Sequence, residues 1–463
     1  MDALRRRWHA PGGYQEFLHL AFPLILSSAT WSLQHFVDRV FLTWYSTDAL
    51  AAAYPAGMSN FVFVSLFMGV AQYINTFVAQ YSGARRPERV GPAVWQGVYL
   101  SLIGLVAGLA VAGLAQPLFD FIGHDSTVRA YEITYFRVLC YGVGPIALST
   151  ACSCFFSGRG KTWTVLGVNA AATVLNIVLN YGLIFGAWGL PAWGIRGAAW
   201  ATNLTAVFSA VFFFALILRR PYRQQYATLS GWKLDPALFR RLLRFGGPSG
   251  VNFMLDMLAF TFFILIVGRI GILELAATSL AFNINGLAFI PLIGGGIAVS
   301  TMVGQRLGDN DAATAEYATW TSFYVATVYM TVMALAYLLI PELFLSPYGA
   351  RSQSADFPAV HALAINLLRL VAVYCIFDAS YIVFSAALKG AGDTRYVMWV
   401  SVVLSWFVMV LPPIVGVAYF GIGVYGVWAF MCVYTILVSV IFYFRFRAGK
   451  WKNMRVIEEP AVL

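Results

Sequence analysis

Residues 24–45 read LILSSATWSLQHFVDRVFLTWY, an apolar stretch that is long enough to cross a membrane and that carries one carboxylate, Asp38. Asp256 lies in a second such stretch, SGVNFMLDMLAFTFFILIV, and Asp378 in a third, LVAVYCIFDASYIVFSAAL. A carboxylate at the centre of a membrane helix costs roughly 2.5–3.5 kcal/mol on insertion scales, so such residues usually face a protein interior or a wet cavity. The three acids therefore predict an ion or substrate pathway.

The composition of the whole chain is typical of a multi-pass membrane protein. Hydrophobic residues form 60% of the 463 residues, and charged residues form only 11%. Twelve apolar stretches are long enough to cross about 30 Å of hydrocarbon. Their predicted bounds are 17–45, 54–81, 91–117, 131–156, 162–186, 194–218, 238–268, 275–304, 313–341, 362–388, 394–419 and 424–446.

The net charge of +10 is distributed in a way that predicts the orientation of the chain. If the N-terminus is inside, most Lys and Arg residues fall on inner segments, whereas the outer loops hold only Arg129, Arg269 and Arg351. The positive-inside rule then places both termini on the cytoplasmic side of the membrane, which we expect to be a bacterial-type plasma membrane. Basic charge placed in this way favours contact with anionic headgroups over nucleic-acid binding.

The sequence repeats itself at about half its length. Residues 80–83, QYSG, line up at an offset of 225 with residues 305–308, QRLG, and the same offset places Pro23 on Pro248. With six helices in each half, both halves begin on the same side of the membrane. A pseudo-twofold axis along the membrane normal must then relate them, as in parallel-repeat transporters.

We therefore predict an all-α membrane protein with twelve transmembrane helices in two pseudo-symmetric six-helix bundles. The N-terminal bundle is expected to span residues 17–218, and the C-terminal bundle residues 238–446. A basic cytoplasmic linker, 219–237, joins the two bundles. Residues 1–16 and 447–463 are expected to be cytoplasmic terminal segments.

This constellation resembles the MATE (multidrug and toxin extrusion) family of the MOP type, and its NorM-like branch in particular. The match rests on acids in helices one, seven and ten, namely Asp38, Asp256 and Asp378. It also rests on the motifs LKGAGDT at 388–394 and GQRLG at 304–308. The resemblance covers about residues 15–446. It implies an antiporter that exports amphipathic, often cationic, drugs by alternating access, driven by entry of H⁺ or Na⁺.

Two departures from the family pattern bear on the coupling ion. The helix-seven acid, commonly Glu in this branch, is Asp256 here, and Asn180 stands where some members carry an Asp one turn after an Asn. The predicted cation site of the N-terminal bundle is thus left with one carboxylate, and oxygen sites with fewer charges bind cations less tightly. H⁺ is therefore the preferred coupling ion, with Na⁺ left open.

A cation or proton site is predicted around Asp38. Gln34 lies one turn before it on the same helix face, and Asn176 and Asn180 are likewise one turn apart. Thr202 matches the hydroxyl that the family carries in helix six. These oxygens suit a hard cation such as Na⁺, with Asp38 and Asn180 as its candidate ligands. The alternative is a buried hydrogen-bonded cluster that joins helices.

A second acidic site is predicted in the C-terminal bundle. Asp256 and Asp378 stand on helices that the family packs side by side, so we expect them to bind the coupling ion and the substrate as a coupled pair. Gln34 and Asn283 are further substrate-binding candidates. The alternative for both acids is a structural role with neighbouring polar partners. His35, one turn from Asp38, is either a proton relay or a packed histidine.

The sequence carries no motif of an enzyme, because it lacks a P-loop, GxSxG, HExxH and a dinucleotide fingerprint. We expect no cofactor besides the coupling ion, and a monomer whose partners are organic cations and membrane lipids. The alternative within the superfamily is a flippase for a lipid-linked saccharide, which should line its cavity with Arg or Lys. The mid-span charges here are mostly acidic. A channel, which would lack coupling, is the alternative from another class.

Overall fold

The structure is a computed structural model that describes residues 7–349 and 357–458. The predicted outer-loop residue Arg351 lies outside the described residues, as do 1–6 and 459–463 of the predicted terminal segments. Over the described ranges the chain is built of helices and contains no β-strand.

The helices before the predicted linker alternate long, membrane-length elements with short ones. They are α1 (Tyr14–Tyr45), α2 (Thr47–Gln72), α3 (Ile74–Gly83), α4 (Val90–Gly113), α5 (Ala115–Ile122), α6 (Ser126–Cys140), α7 (Val143–Ser157), α8 (Thr162–Phe185) and α9 (Ile195–Ile217). A short helix within the predicted linker is α10 (Arg220–Tyr226).

The helices after the linker are longer on average. They are α11 (Pro236–Ile270), α12 (Ile272–Gly308), α13 (Ala312–Leu339), α14 (Pro341–Gly349), α15 (Phe357–Ala391), α16 (Thr394–Leu404), α17 (Leu411–Phe420) and α18 (Val424–Arg447). A π-helical segment, Ser405–Val410, joins α16 to α17, and 3₁₀ turns occupy Pro87–Arg89, Ala187–Gly189, Ser230–Trp232 and Lys450–Asn453.

Ten helical segments of the described chain are long and apolar enough to cross a membrane, and the bent pair α6–α7 raises the number to eleven. The 32-residue helix α1 is the remaining long one. It is less apolar because polar side chains such as Ser27, Gln34 and Asp38 are spread along it. The predicted all-α membrane fold is confirmed. Among the described residues, α1 brings the helices of membrane length to the predicted twelve when the pair α6–α7 is counted as one span.

Proline accounts for two irregular places in these helices. The pair α6–α7 bends by 41°, just before Pro145, which cannot donate the i→i−4 hydrogen bond across the bend. The π-helical segment Ser405–Val410 directly precedes Pro412 and Pro413. Because two consecutive residues lack an N–H there, the regular ladder is interrupted and the preceding turn widens.

The chain divides into two compact units. The N-unit consists of Leu26–Met254, Gly304–Asn310 and the described part of Arg455–Leu463, and its core includes the fully buried Ala49, Ala52 and Ala56 of α2. Small residues of this kind let membrane helices approach closely. The division at the 219–237 linker, which comes from the sequence repeat, stays a prediction.

The C-unit consists of the described parts of Met1–Ile25, Leu255–Val303 and Asp311–Met454. Its α13, α15 and α18 meet in an aromatic cluster, in which the Phe384 ring lies 5.6 Å from Trp320 and 5.0 Å from Phe446. The ring of Phe446 in turn stacks on the fully buried Trp451, so the segment after α18 is packed against its own unit.

Candidate functional site

Helices α1 and α8 bring Asp38 and Asn180 into direct contact in the N-unit. The Asn180 side-chain amide donates a hydrogen bond to Asp38 Oδ1 and another, of 2.9 Å, to Asn176 Oδ1. Asn176 and Asn180 share a face of α8 because they are four residues apart. Both are fully buried, and Asp38 is 7% exposed. The structure thus places these three predicted site residues together.

Two polar atoms of this cluster are buried without a hydrogen-bond partner, the carbonyl oxygen Oδ1 of Asn180 and the amide nitrogen Nδ2 of Asn176. A buried polar group without a partner costs about 1–3 kcal/mol, so most such groups in proteins are paired. An unsatisfied carbonyl oxygen beside a carboxylate is a donor set that a hard cation would complete. Carboxylate and amide oxygens are donor types that Na⁺ takes, and a carboxylate also binds a proton, so the residue types of this cluster are compatible with either ion.

The other predicted members of this site lie differently. Gln34 is buried one turn before Asp38 on α1. The hydroxyl of Thr202 donates to Ala198 O of its own helix at 3.2 Å, so the structure does not bring it to Asp38 by a hydrogen bond. The His35 ring packs edge-on against Trp31, with the ring centroids 4.8 Å apart, which favours the packed alternative for this histidine.

Tyr135 is a neighbour of Asp38 that was not predicted from the sequence. It is nearly buried on α6, and the charge of Asp38 acts on its phenol. Arg39, although adjacent to Asp38 in sequence, lies over the ring of Tyr54 at 5.8 Å. A tyrosine in an aromatic-rich membrane chain carries no sequence signal that distinguishes it from lipid-facing or core tyrosines.

The two acids of the C-unit lie near the same pair of tyrosines. The charges of Asp256 on α11 and of Asp378 on α15 both act on Tyr381 and Tyr434. Asp378 is 6% exposed, so its carboxyl is held inside the helix bundle. Both predicted acids therefore lie within electrostatic range of the same two phenol groups.

A basic residue belongs to the same cluster. Lys389, near the end of α15, lies within electrostatic range of Asp256. It stands in the LKGAGDT motif, which carries the family resemblance but was not predicted to contain a site residue. The signal that could have found it is a lysine at the end of an otherwise apolar span, since buried ammonium groups are rarely left without a carboxylate.

Of the two asparagines on α12, Asn285 is the one that contacts α15, the helix that carries Asp378. Asn283, the predicted substrate-binding residue, is exposed and donates to Ser279 O of its own helix at 2.7 Å. Asn285 is buried and donates to the hydroxyl of Tyr374 at 3.4 Å. Tyr374 lies one turn before Asp378 on α15, so Asn285 connects α12 to α15 within one turn of that acid.

Comparisons with known proteins show which family the chain resembles. The MatE family model matches residues 23–182 and 248–414, one segment in each half of the chain. A probable multidrug resistance protein NorM from Burkholderia pseudomallei is 28% identical over 428 residues, which cover 92% of this chain and 91% of the relative. A probable NorM protein from a Synechocystis species is 26% identical and covers 96% of this chain and 97% of its own length.

A solved structure gives the same fold. An outward-facing multidrug resistance MATE family transporter of the MOP superfamily superposes with a TM-score of 0.83 at 19% identity, covering 98% of this chain and 99% of that one. The predicted resemblance is confirmed by the family model and the relatives together. Because the model matches both halves, the chain belongs to the MatE family, whose members are transporters and not enzymes.

Proposed function

We propose that this protein is an antiporter that exports amphipathic organic cations by alternating access, driven by an inward-moving cation. The observation that carries the proposal is the buried group of Asp38, Asn176 and Asn180, with one amide oxygen left unsatisfied beside the carboxylate. The names of the relatives, multidrug resistance proteins, support the class of cargo. They do not favour the saccharide flippase.

In this proposal Asp38 binds the coupling ion. Asn180 holds the carboxylate in place through its amide N–H, and that hydrogen bond depends on the charge of the carboxylate. When a proton or Na⁺ binds Asp38, the negative charge is neutralised and the bond to Asn180 weakens or is rearranged. Ion binding would in this way change the packing of α1 against α8.

The cluster in the C-unit supplies the cargo site. Asp256 and Asp378 offer negative charge, and Tyr381 and Tyr434 offer aromatic faces that hold organic cations. Lys389 beside Asp256 would offset part of this charge when no cation is bound. H⁺ remains our preferred coupling ion, because the N-unit site has a single carboxylate.

We further propose that the chain works as a monomer in a bacterial-type plasma membrane with both termini in the cytoplasm. The distribution of Lys and Arg along the sequence supports this orientation. Basic inner segments would contact anionic lipids.

Efflux from vesicles tests the proposal directly. The purified protein is reconstituted, and ethidium release is followed under a Na⁺ gradient at clamped pH and under a pH gradient without Na⁺. We expect gradient-driven release that Asp38→Asn abolishes and that Asp120→Asn preserves. Asp120 is a matched control because its carboxylate is exposed and paired with Arg129 at 3.3 Å. Ethidium release that depends on neither gradient would overturn the antiport proposal.

A further inference from the structure

The carboxylate of Glu458, beyond the last helix, is held by three arginines and a tyrosine of the N-unit. Tyr81 Oη donates to Glu458 Oε2 at 2.7 Å, and Arg241 Nη1 donates to the same oxygen at 3.1 Å. Arg89 Nε donates to Oε1 at 2.9 Å and Arg86 Nη2 at 3.2 Å. Both carboxylate oxygens are therefore doubly satisfied by protein groups.

The backbone of the same short segment is bound as well. The amide of Val456 donates to Gln80 Oε1 at 2.9 Å, and both residues are buried. Arg86 Nη1 also donates to the carbonyl oxygen of Glu458 at 3.0 Å. We call the surface that receives residues 455–458 the tail socket. It is formed by Gln80, Tyr81, Arg86, Arg89 and Arg241.

The tail socket takes its residues from both halves of the sequence. Gln80 and Tyr81 on α3, and Arg86 and Arg89 before α4, come from the first half, whereas Arg241 on α11 follows the predicted linker. The tail that fills the socket follows the last helix of the second half. All of these residues belong to the N-unit, so their contacts lie within one compact body.

The socket adjoins a close crossing of the two halves. Its residue Gln80 opens the repeat motif QYSG, and the backbone of that motif contacts the backbone of the matching motif QRLG. The contact leaves no room for a Cβ on Gly83 beside Gln305 O, nor on Gly308 beside Gln80 O. The tail therefore binds a residue that also forms the crossing.

We propose that residues 455–458 are a reversible ligand of the tail socket, and that the filled socket holds the two sequence halves together at their predicted cytoplasmic ends. The inference rests on the proposed alternating-access function, in which those ends must separate once in each transport cycle. Release of Glu458 would then accompany opening toward the cytoplasm, and its return would accompany closure.

The exposure of the carboxylate fits a contact that opens and closes. The Glu458 side chain is 26% exposed, and those of Arg86, Arg89 and Arg241 are 25%, 32% and 38% exposed. Water can therefore replace the arginines when the segment leaves, so that release does not strand a charge in a dry interior. A fully buried pair of the same composition would be far more costly to separate.

Hydrogen exchange measured by mass spectrometry on the full-length protein tests the inference. Glu458→Gln removes the charge and keeps the size. We expect exchange at least about tenfold faster in residues 455–458, and also in peptides covering 80–89 and 304–309, because hydrogen bonds to a charged group are lost. Glu458→Asp, which keeps the charge with a shorter reach, should fall between this variant and the wild type.

Glu316→Gln is the matched control. It removes another ion pair of the same terminal segment, between Lys452 Nζ and Glu316 Oε2 at 2.6 Å, but that pair lies within the C-unit. We expect it to leave exchange in 80–89 and 304–309 unchanged. Equal acceleration by both variants would show general loosening of the tail and would overturn the inference.

Ethidium efflux by the same variants separates this inference from the proposed function. Loosened peptides in Glu458→Gln, together with a changed rate of gradient-driven efflux, would support both. If the wild type shows no such efflux but the peptides loosen, the socket closure stands and the proposed function fails. The third outcome is normal efflux in the wild type and a Glu458→Gln variant with unchanged hydrogen exchange in peptides 80–89 and 304–309 and an unchanged efflux rate. That outcome would overturn the socket closure and leave the proposed function standing.

Discussion

Gly83 and Gly308 occupy equivalent positions in the two sequence repeats, and each lies against the backbone of the other repeat. A Cβ on Gly83 would collide with Gln305 O, and a Cβ on Gly308 would collide with Gln80 O. This reciprocal contact is what a pseudo-twofold relation between the two motifs requires. It also gives a structural reason for the sequence repeat at an offset of 225, because both glycines are needed where the two motifs cross.

Gly83→Ala should destabilise this crossing. The added methyl group meets a backbone carbonyl that cannot rotate away, so we expect a loss of about 1–3 kcal/mol and a lower thermal midpoint in detergent. Gly308→Ala should behave in the same way. Gly167→Ala is the control, since Gly167 is an exposed residue of α8 with open space around it, and alanine there should be neutral or favourable. A drop of equal size in all three variants would contradict the crossing as the cause.

Asp38→Asn should abolish coupled efflux while leaving the protein folded. A neutral amide removes a buried charge, so the thermal midpoint should not fall and expression should stay at the wild-type level. The measurement is gradient-driven ethidium release beside a thermal unfolding curve of the same preparation. A folded variant with full activity would remove Asp38 from the coupling mechanism, whereas low expression would support the structural alternative.

Asn180→Asp should increase the response to Na⁺. The substitution puts a second carboxylate beside Asp38, and oxygen sites with more charge bind hard cations more tightly. We expect a lower Na⁺ concentration for half-maximal efflux at clamped pH. Asn169→Asp adds the same charge to α8 beside Ser27, to which Asn169 Nδ2 donates at 2.6 Å, and should leave that concentration unchanged. An unchanged Na⁺ response in Asn180→Asp would count against a cation site at this position.

The grouping of Asp38 with Asn176 and Asn180 was predictable because helical spacing places the two asparagines on one face, and the family resemblance supplied the pairing of helices. Which of Asn283 and Asn285 is buried could not be predicted from the sequence. These residues point about 200° apart on α12, and that helix is apolar nearly all round, so no polar face indicates which residue turns inward.

The tail socket also could not be predicted from sequence patterns. Glu458 contacts Tyr81 across 377 residues, and a glutamate in a polar terminal segment looks like an ordinary solvated charge. Two consecutive prolines in α17 indicate an irregular helix, but the π-helical form of Ser405–Val410 depends on how neighbouring turns take up the missing hydrogen bonds.

Asp256→Asn and Asp378→Asn should each impair efflux, and the double variant should be little worse than either single one. Both acids act on Tyr381 and Tyr434, so the first substitution already disrupts the shared cluster, and coupled residues give non-additive effects. Rates and apparent ethidium affinity are compared with those of Asp309→Asn, a change at an exposed loop acid. Additive losses, or normal coupling in either single variant, would contradict the paired site.

The contribution of Glu458 to stability should persist from neutral pH into the acid range. Burial disfavours its charged form, but the hydrogen bond from Tyr81 and the charges of Arg89 and Arg86 outweigh burial and lower the pKa of this carboxyl. A lowered pKa in the folded protein means that the contribution is complete above the ordinary glutamate pKa of about 4.3 and is lost only as the pH falls through the folded value.

The difference in thermal midpoint between the wild type and Glu458→Gln measures this contribution. It should correspond to about 1–2 kcal/mol, allowing for solvent screening of a carboxylate that is a quarter exposed, and should stay constant from about pH 8 to pH 5. Below about pH 4 it should shrink, because protonation makes the wild-type side chain neutral like the variant's. If the difference in thermal midpoint already vanishes between pH 7 and pH 5, the effect of burial on the pKa of Glu458 outweighs that of the arginines. The socket would then release the carboxylate more readily than its hydrogen bonds indicate.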